Sequence, residues 1–85
     1  MTASAITLLY FAAVRDLVGK DEEKRELPPS VTTIGALATH LSTVHAELEG
    51  RLSAVRFARN EEFALATDPI ANGDVIALIP PVAGG

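Results

Sequence analysis

The side chains that most often carry catalysis are sparse in this chain and poorly placed for it. His40 and His45 are five residues apart. On a helix that spacing spreads them around the circumference, whereas two ligands for one metal need i and i+4 on one face. They read as two surface or rim histidines. The acids cluster as Asp21-Glu22-Glu23 and Glu61-Glu62. Paired carboxylates do acid–base work when burial raises one pKa, but these lie in a charge run and a predicted turn, where solvent keeps them ordinary. The four serines include none in a nucleophile-elbow sequence, and there is no cysteine to serve as thiol nucleophile, disulfide or thiolate ligand. The glycines are dispersed and form no phosphate-cradling loop. A self-contained active site, metal centre or bound cofactor is therefore not expected.

What remains is the end of the sequence, "IALIPPVAGG", residues 76–85. Pro80 and Pro81 restrict the backbone to extended or polyproline geometry, so the tail that runs on through Val82 and Ala83 is expected to point away from the domain. Gly84 and Gly85 carry no Cβ, and bare backbone enters slots closed to any other residue. From Ile79 the segment can reach roughly 20 Å. The reactive group on that tip is the α-carboxylate of Gly85, which is ionised at neutral pH and inert as an acyl donor. Joined to AMP it becomes an electrophile. Attack by a lysine amine would then conjugate the domain to a target, and attack by sulfur would leave a thiocarboxylate. The expected organisation is a domain over 1–79 and a tail over 80–85.

The rest of the chain must position that tail. Eighty-five residues make one domain, and 48% hydrophobic content is enough for a core. A small secreted domain of this size usually carries disulfide staples, so their absence favours the cytoplasm. The net charge of −4 argues against nucleic acid or an anionic membrane as partner and for a basic protein surface. No apolar run reaches the ~20 residues of a membrane span, and the first residues lack the basic region of a signal peptide.

"AITLLYFA" (5–12) and "VIALIPP" (75–81) are nearly continuous apolar runs, as expected of central strands buried on both faces. "AVRDLVG" predicts a short helical turn stopped by Gly19. "KDEEKRELPP" (20–29) predicts a charged edge strand ending at Leu27. "TIGALATHLSTVHAELEG" predicts the main helix, capped by Thr33 and closed by Gly50, with Gly35 costing about 1 kcal/mol against alanine. "SAVRFARN" (53–60) alternates as a strand, Asn60-Glu61-Glu62 predicts a turn into "FALA", and "TDPIANGD" holds two further turn signals. One amphipathic helix laid across a mixed sheet of four or five strands satisfies that order. The first and last strands are then parallel neighbours at its centre. That is an α+β, β-grasp (ubiquitin-like) arrangement.

"FAAVRDLVG" (11–19), "DPIANGDVIALIPPVAGG" (68–85) and the element order between them resemble the ubiquitin-like sulfur carriers, above all the small subunit of molybdopterin synthase. The resemblance implies a carrier without its own active site, serving molybdenum cofactor biosynthesis. An E1-like adenylyltransferase would use ATP to adenylate Gly85, a persulfide donor protein would convert it to a thiocarboxylate, and Gly84 would permit threading. The tail would enter the molybdopterin synthase large subunit, in a heterotetramer, and give sulfur to cyclic pyranopterin monophosphate. The apolar patch contacting the large subunit and the activating enzyme would map to Phe11, Phe63 and Ile79, with Arg15 on its rim. Ala58-Arg59-Asn60, Ile79 and Ala83 depart from the pattern usual at those positions. Close alternatives are a carrier for thiamine thiazole or cysteine synthesis and a protein modifier that forms isopeptide bonds through Gly85.

Overall fold

The computed structural model describes residues 4–81, so the predicted tail residues Val82, Ala83, Gly84 and Gly85 lie outside the described residues. The chain runs β1 (Ser4–Tyr10), α1 (Ala12–Val18), β2 (Glu22–Leu27), α2 (Ile34–Val44), β3 (Arg56–Arg59), β4 (Glu62–Ala64) and β5 (Val75–Ile79). Two single turns of 3₁₀ helix, Ala46–Leu48 and Leu52–Ala54, link α2 to β3. The five strands form one sheet in the order β2-β1-β5-β3-β4. β1 and β5 are parallel, with Thr7 opposite Val75 and Tyr10 opposite Leu78. The other three pairings are antiparallel. The two apolar strands are thus the central parallel pair that the sequence predicts, and the charged strand is at an edge.

Period-two alternation decides which residues form the core. Ile6, Leu8 and Tyr10 of β1, Ile76 and Leu78 of β5 and Phe57 of β3 are buried against Ile34, Leu37 and Leu41 of α2 and against Leu48. Each such aliphatic side chain stabilises the fold by about 1.5–3 kcal/mol when fully buried. Helix α2 starts where expected: the Thr33 hydroxyl accepts a hydrogen bond from the Ala36 N–H at 3.1 Å. Gly19 ends α1 with φ 88°, a left-handed conformation that favours glycine.

Three expectations are corrected. Helix α2 does not run on to Gly50 but ends at Val44, because His45 turns out of helical geometry (φ −117°, ψ 90°). The next turn is 3₁₀, and it carries Leu48 into the core. The strand expected over 53–60 begins only at Arg56, its first residues being taken by the second 3₁₀ turn. The central strands are apolar on both faces but are not covered on both. Helix α2 buries one side, while Leu9, Val75, Ala77 and Ile79 on the other remain partly or substantially exposed.

Candidate functional site

The open side of the sheet gathers three of the four predicted contact residues. Pairing puts Ala77 opposite Ala58 and Ala58 opposite Phe63, so these side chains share the outer face with Leu9, Val75 and Ile79. Phe11 joins them from the turn after β1. Together with Glu61 they line a shallow hollow of about 310 Å³. Phe63 is 62% exposed, Phe11 45% and Val75 37%, a cluster of large apolar groups that an isolated domain has no reason to keep in water. Arg56 lays its guanidinium 4.2 Å from the centre of the Phe63 ring, a cation–π contact. Arg15, expected on the rim, does not line the hollow; its exposed side chain lies 3.9 Å from Asp16.

Local backbone geometry explains where Phe63 stands. Asn60 and Glu61 take φ values of 52° and 74°, the left-handed pair required by a tight two-residue hairpin turn between β3 and β4. Asn60 is anchored on both sides. Its N–H donates to the Val75 carbonyl at 2.8 Å, its Oδ1 accepts from the Val75 N–H at 2.9 Å, and its Nδ2 donates to Asp74 Oδ1 at 3.0 Å. Asp74, only 6% exposed, also accepts from Arg59 Nε and from the Ala71 N–H. Burial acts to raise the Asp74 carboxyl, but the bonds from Arg59, Ala71 and Asn60 outweigh it and hold the pKa below the usual range.

On the helix side, the charged edge strand hides a second cluster. Glu23 and Arg25 face inward from β2 while Glu22, Lys24 and Glu26 face solvent. Glu23 accepts from the Tyr10 hydroxyl at 2.7 Å and lies 3.0 Å from His45 Nε2, with Arg25 and Lys20 at 3.5 and 3.6 Å. Burial would raise the Glu23 carboxyl, yet those two hydrogen bonds and the two cations lower its pKa to about 2. Burial, followed by the bond to Glu23 and its charge, pushes Tyr10 upward. The expectation that solvent keeps these acids ordinary therefore fails at Glu23, and His45 is half-buried against it. An ionised carboxylate tied to four partners is not available as a general acid. Among the described residues, no group of three or more histidine, aspartate or glutamate side chains is placed to hold a metal ion, and no helix is long and apolar enough to cross a membrane.

Pro80 and Pro81 follow β5 directly and lie within the described residues. They share a hollow of about 100 Å³ with Ala13, Val14 and Leu17 of α1 and with Leu52 and Val55. The described part of the predicted tail, half-buried Pro80 and exposed Pro81, thus borders the domain directly after Ile79. Leu9, Val75, Ala77 and Arg56 are open-face residues that motif reading passed over. The available signal was the second apolar row of "VIALI", once a single helical layer is granted.

A mixed five-stranded sheet with a parallel central pair, one principal helix across it and an apolar open face defines a ubiquitin-like β-grasp domain. Within that class, the chain belongs to the ThiS family, which it matches over residues 8–85. The molybdopterin synthase sulfur carrier subunit of Chlamydomonas reinhardtii is 35% identical over 82 residues, covering 94% of this chain and 98% of that one. The subunit of the same name from Escherichia coli is 35% identical over 85 residues, covering 94% and 99%. Among solved structures, small archaeal modifier protein 1 from Haloferax volcanii is 27% identical with a TM-score of 0.83, covering 96% of this chain and all of that one. A chain of the Helicobacter pylori complex of subunits 1 and 2 of molybdopterin-converting factor shares the fold, with 22% identity, a TM-score of 0.67 and coverage of 95% and 99%.

Proposed function

We propose that this chain is a sulfur carrier of molybdenum cofactor biosynthesis, the small subunit of a molybdopterin synthase. The observation that carries the reading is the placement of Phe11, Phe63 and Ile79 on one open face, at the root of a tail that ends in Gly84-Gly85. The names of the relatives from Chlamydomonas reinhardtii and Escherichia coli support the pathway. The Helicobacter pylori complex, in which a chain of this fold is held with subunit 2, supports a large-subunit partner.

Each part of the chain then has a task. The face binds the large subunit and, earlier, an E1-like adenylyltransferase. That enzyme joins Gly85 to AMP with release of pyrophosphate from ATP. The outer sulfur of a donor persulfide attacks this acyl adenylate and displaces AMP, giving an acyl disulfide. A thiol then attacks the donor-side sulfur, forming a disulfide with the donor and releasing Gly85 as a thiocarboxylate, which the glycines pass into the large subunit's site. On this reading the chemistry on the pterin belongs to that partner.

Incubation with the activating enzyme, ATP and a sulfur donor is expected to raise the intact mass by the difference between sulfur and oxygen. Deletion of Gly85 should abolish this gain and leave the thermal midpoint unchanged. A deletion that unfolds the domain would make the tail structural and end the reading. The likeness to small archaeal modifier protein 1 favours a second reading, conjugation to lysines. Isopeptide-linked adducts in place of the mass gain would decide for it.

A further inference from the structure

The tetrapeptide Ala71-Asn72-Gly73-Asp74 does more than turn the chain. Its backbone is pinned to the centre of the sheet: the Ala5 N–H donates to Asn72 Oδ1 at 2.8 Å, the Gly73 N–H to the Ala5 carbonyl at 2.7 Å, and the Thr7 N–H to the Asp74 carbonyl at 3.0 Å. From that fixed point the buried Asp74 carboxylate reaches across to the β3–β4 turn, holding Arg59 with one oxygen and Asn60 with the other. Asn60 and Glu61 sit in left-handed conformations that non-glycine residues adopt at a cost, so the turn needs outside support to keep one geometry. The first strand residues after the turn are Glu62 and Phe63.

We infer that Asp74, acting through Asn60, is a positioning residue for the docking face: it fixes the β3–β4 turn so that Phe63 stands at one height and angle above the sheet. The inference rests on the docking reading of that face. The carboxylate accepts hydrogen bonds from Arg59, Asn60 and the Ala71 N–H and from none of the residues lining the hollow, so its influence on Phe63 runs through the turn. Phe11 reaches the same face from the turn after β1, outside this network, and serves as the internal control.

A set of double-mutant cycles tests the inference, using the full-length chain and the molybdopterin synthase large subunit of the same organism. Phe63→Ala is expected to weaken association roughly thirty-fold, as loss of a central aromatic anchor does. Asp74→Asn should weaken it roughly ten-fold in the wild-type background. In the Phe63→Ala background the Asp74→Asn effect should shrink to less than about two-fold, because coupled neighbours are not additive. In a Phe11→Ala background it should remain roughly ten-fold. The Asn60 amide, which bonds the Val75 carbonyl, should also exchange with solvent faster in Asp74→Asn. If Asp74→Asn fails to fold, Asn60→Gly replaces it: glycine accepts the left-handed turn but loses both side-chain bonds, and the same pattern of coupling is expected. Equal losses in all three backgrounds would overturn the positioning role while leaving the docking face intact. No loss from Phe63→Ala would overturn the docking reading of that residue, and the positioning role with it.

Discussion

Glu23 shows how far a residue's neighbours override its type. In the sequence it is one acid in a run of charges. In the fold its carboxylate receives Tyr10, His45, Arg25 and Lys20 and titrates at about 2. The linkage follows from the sign of that shift. A carboxyl whose folded pKa lies below its unfolded value, near 4.5, binds fewer protons folded than unfolded. Its contribution to stability is complete above that unfolded value and is lost as pH falls toward about 2. Urea denaturation across this window should show wild type losing stability more steeply than Glu23→Gln. Curves of equal slope would remove Glu23 from the acid sensitivity. At neutral pH, Tyr10→Phe deletes the hydroxyl that donates to this carboxylate and should cost about 1–3 kcal/mol.

The elements obey their local signals except where a side chain is required elsewhere. Helix α2 has the cap, the apolar spacing and the start that Thr33, Ile34, Leu37 and Leu41 predict. It ends early because His45 is drawn to Glu23 and edge-on to Tyr10, with ring centres 6.1 Å apart. Gly35 looked like a propensity defect. Its structural reason is the close approach of residue 66: the Gly35 N–H donates to the Ala66 carbonyl at 2.8 Å, and an added Cβ would meet that oxygen at 3.2 Å and the Ala66 Cβ at 3.3 Å. Alanine should gain about 1 kcal/mol from helix propensity. Because the oxygen is backbone and already bonded to this residue, it has little freedom to withdraw. Gly35→Ala is therefore expected to lower the urea midpoint despite its better propensity. A raised midpoint would show that the 65–68 segment yields.

At the scale of the whole molecule, the sheet has one covered side and one open side, and the open side is apolar. Ala77 lies near the middle of that open face, so Ala77→Asp should cost the free domain no more than about 1 kcal/mol, the span of strand preferences. In the complex it would bury an unpaired charge, and association with the large subunit should fall more than roughly a hundred-fold. Thermal melts and titration calorimetry on one preparation separate the two effects; unchanged affinity would move the interface elsewhere. The sequence by itself determined the element order, the central placement of its two apolar strands, the charged edge and the bare tail. Those follow from hydrophobic periodicity and from proline and glycine, which act within a few residues. Phe63 could also be singled out, because a large aromatic directly after Glu61-Glu62 at a turn has little to pack against locally. Only the tertiary structure decided that the second apolar row of β1 and β5 stays uncovered, since one helix of eleven residues covers a single face. It also decided that His45 and Glu23, 22 positions apart, share a bond. And it placed Asp74 under the turn that carries Phe63. Such pairings depend on strand order and register, which bring distant residues together without leaving a local pattern to read.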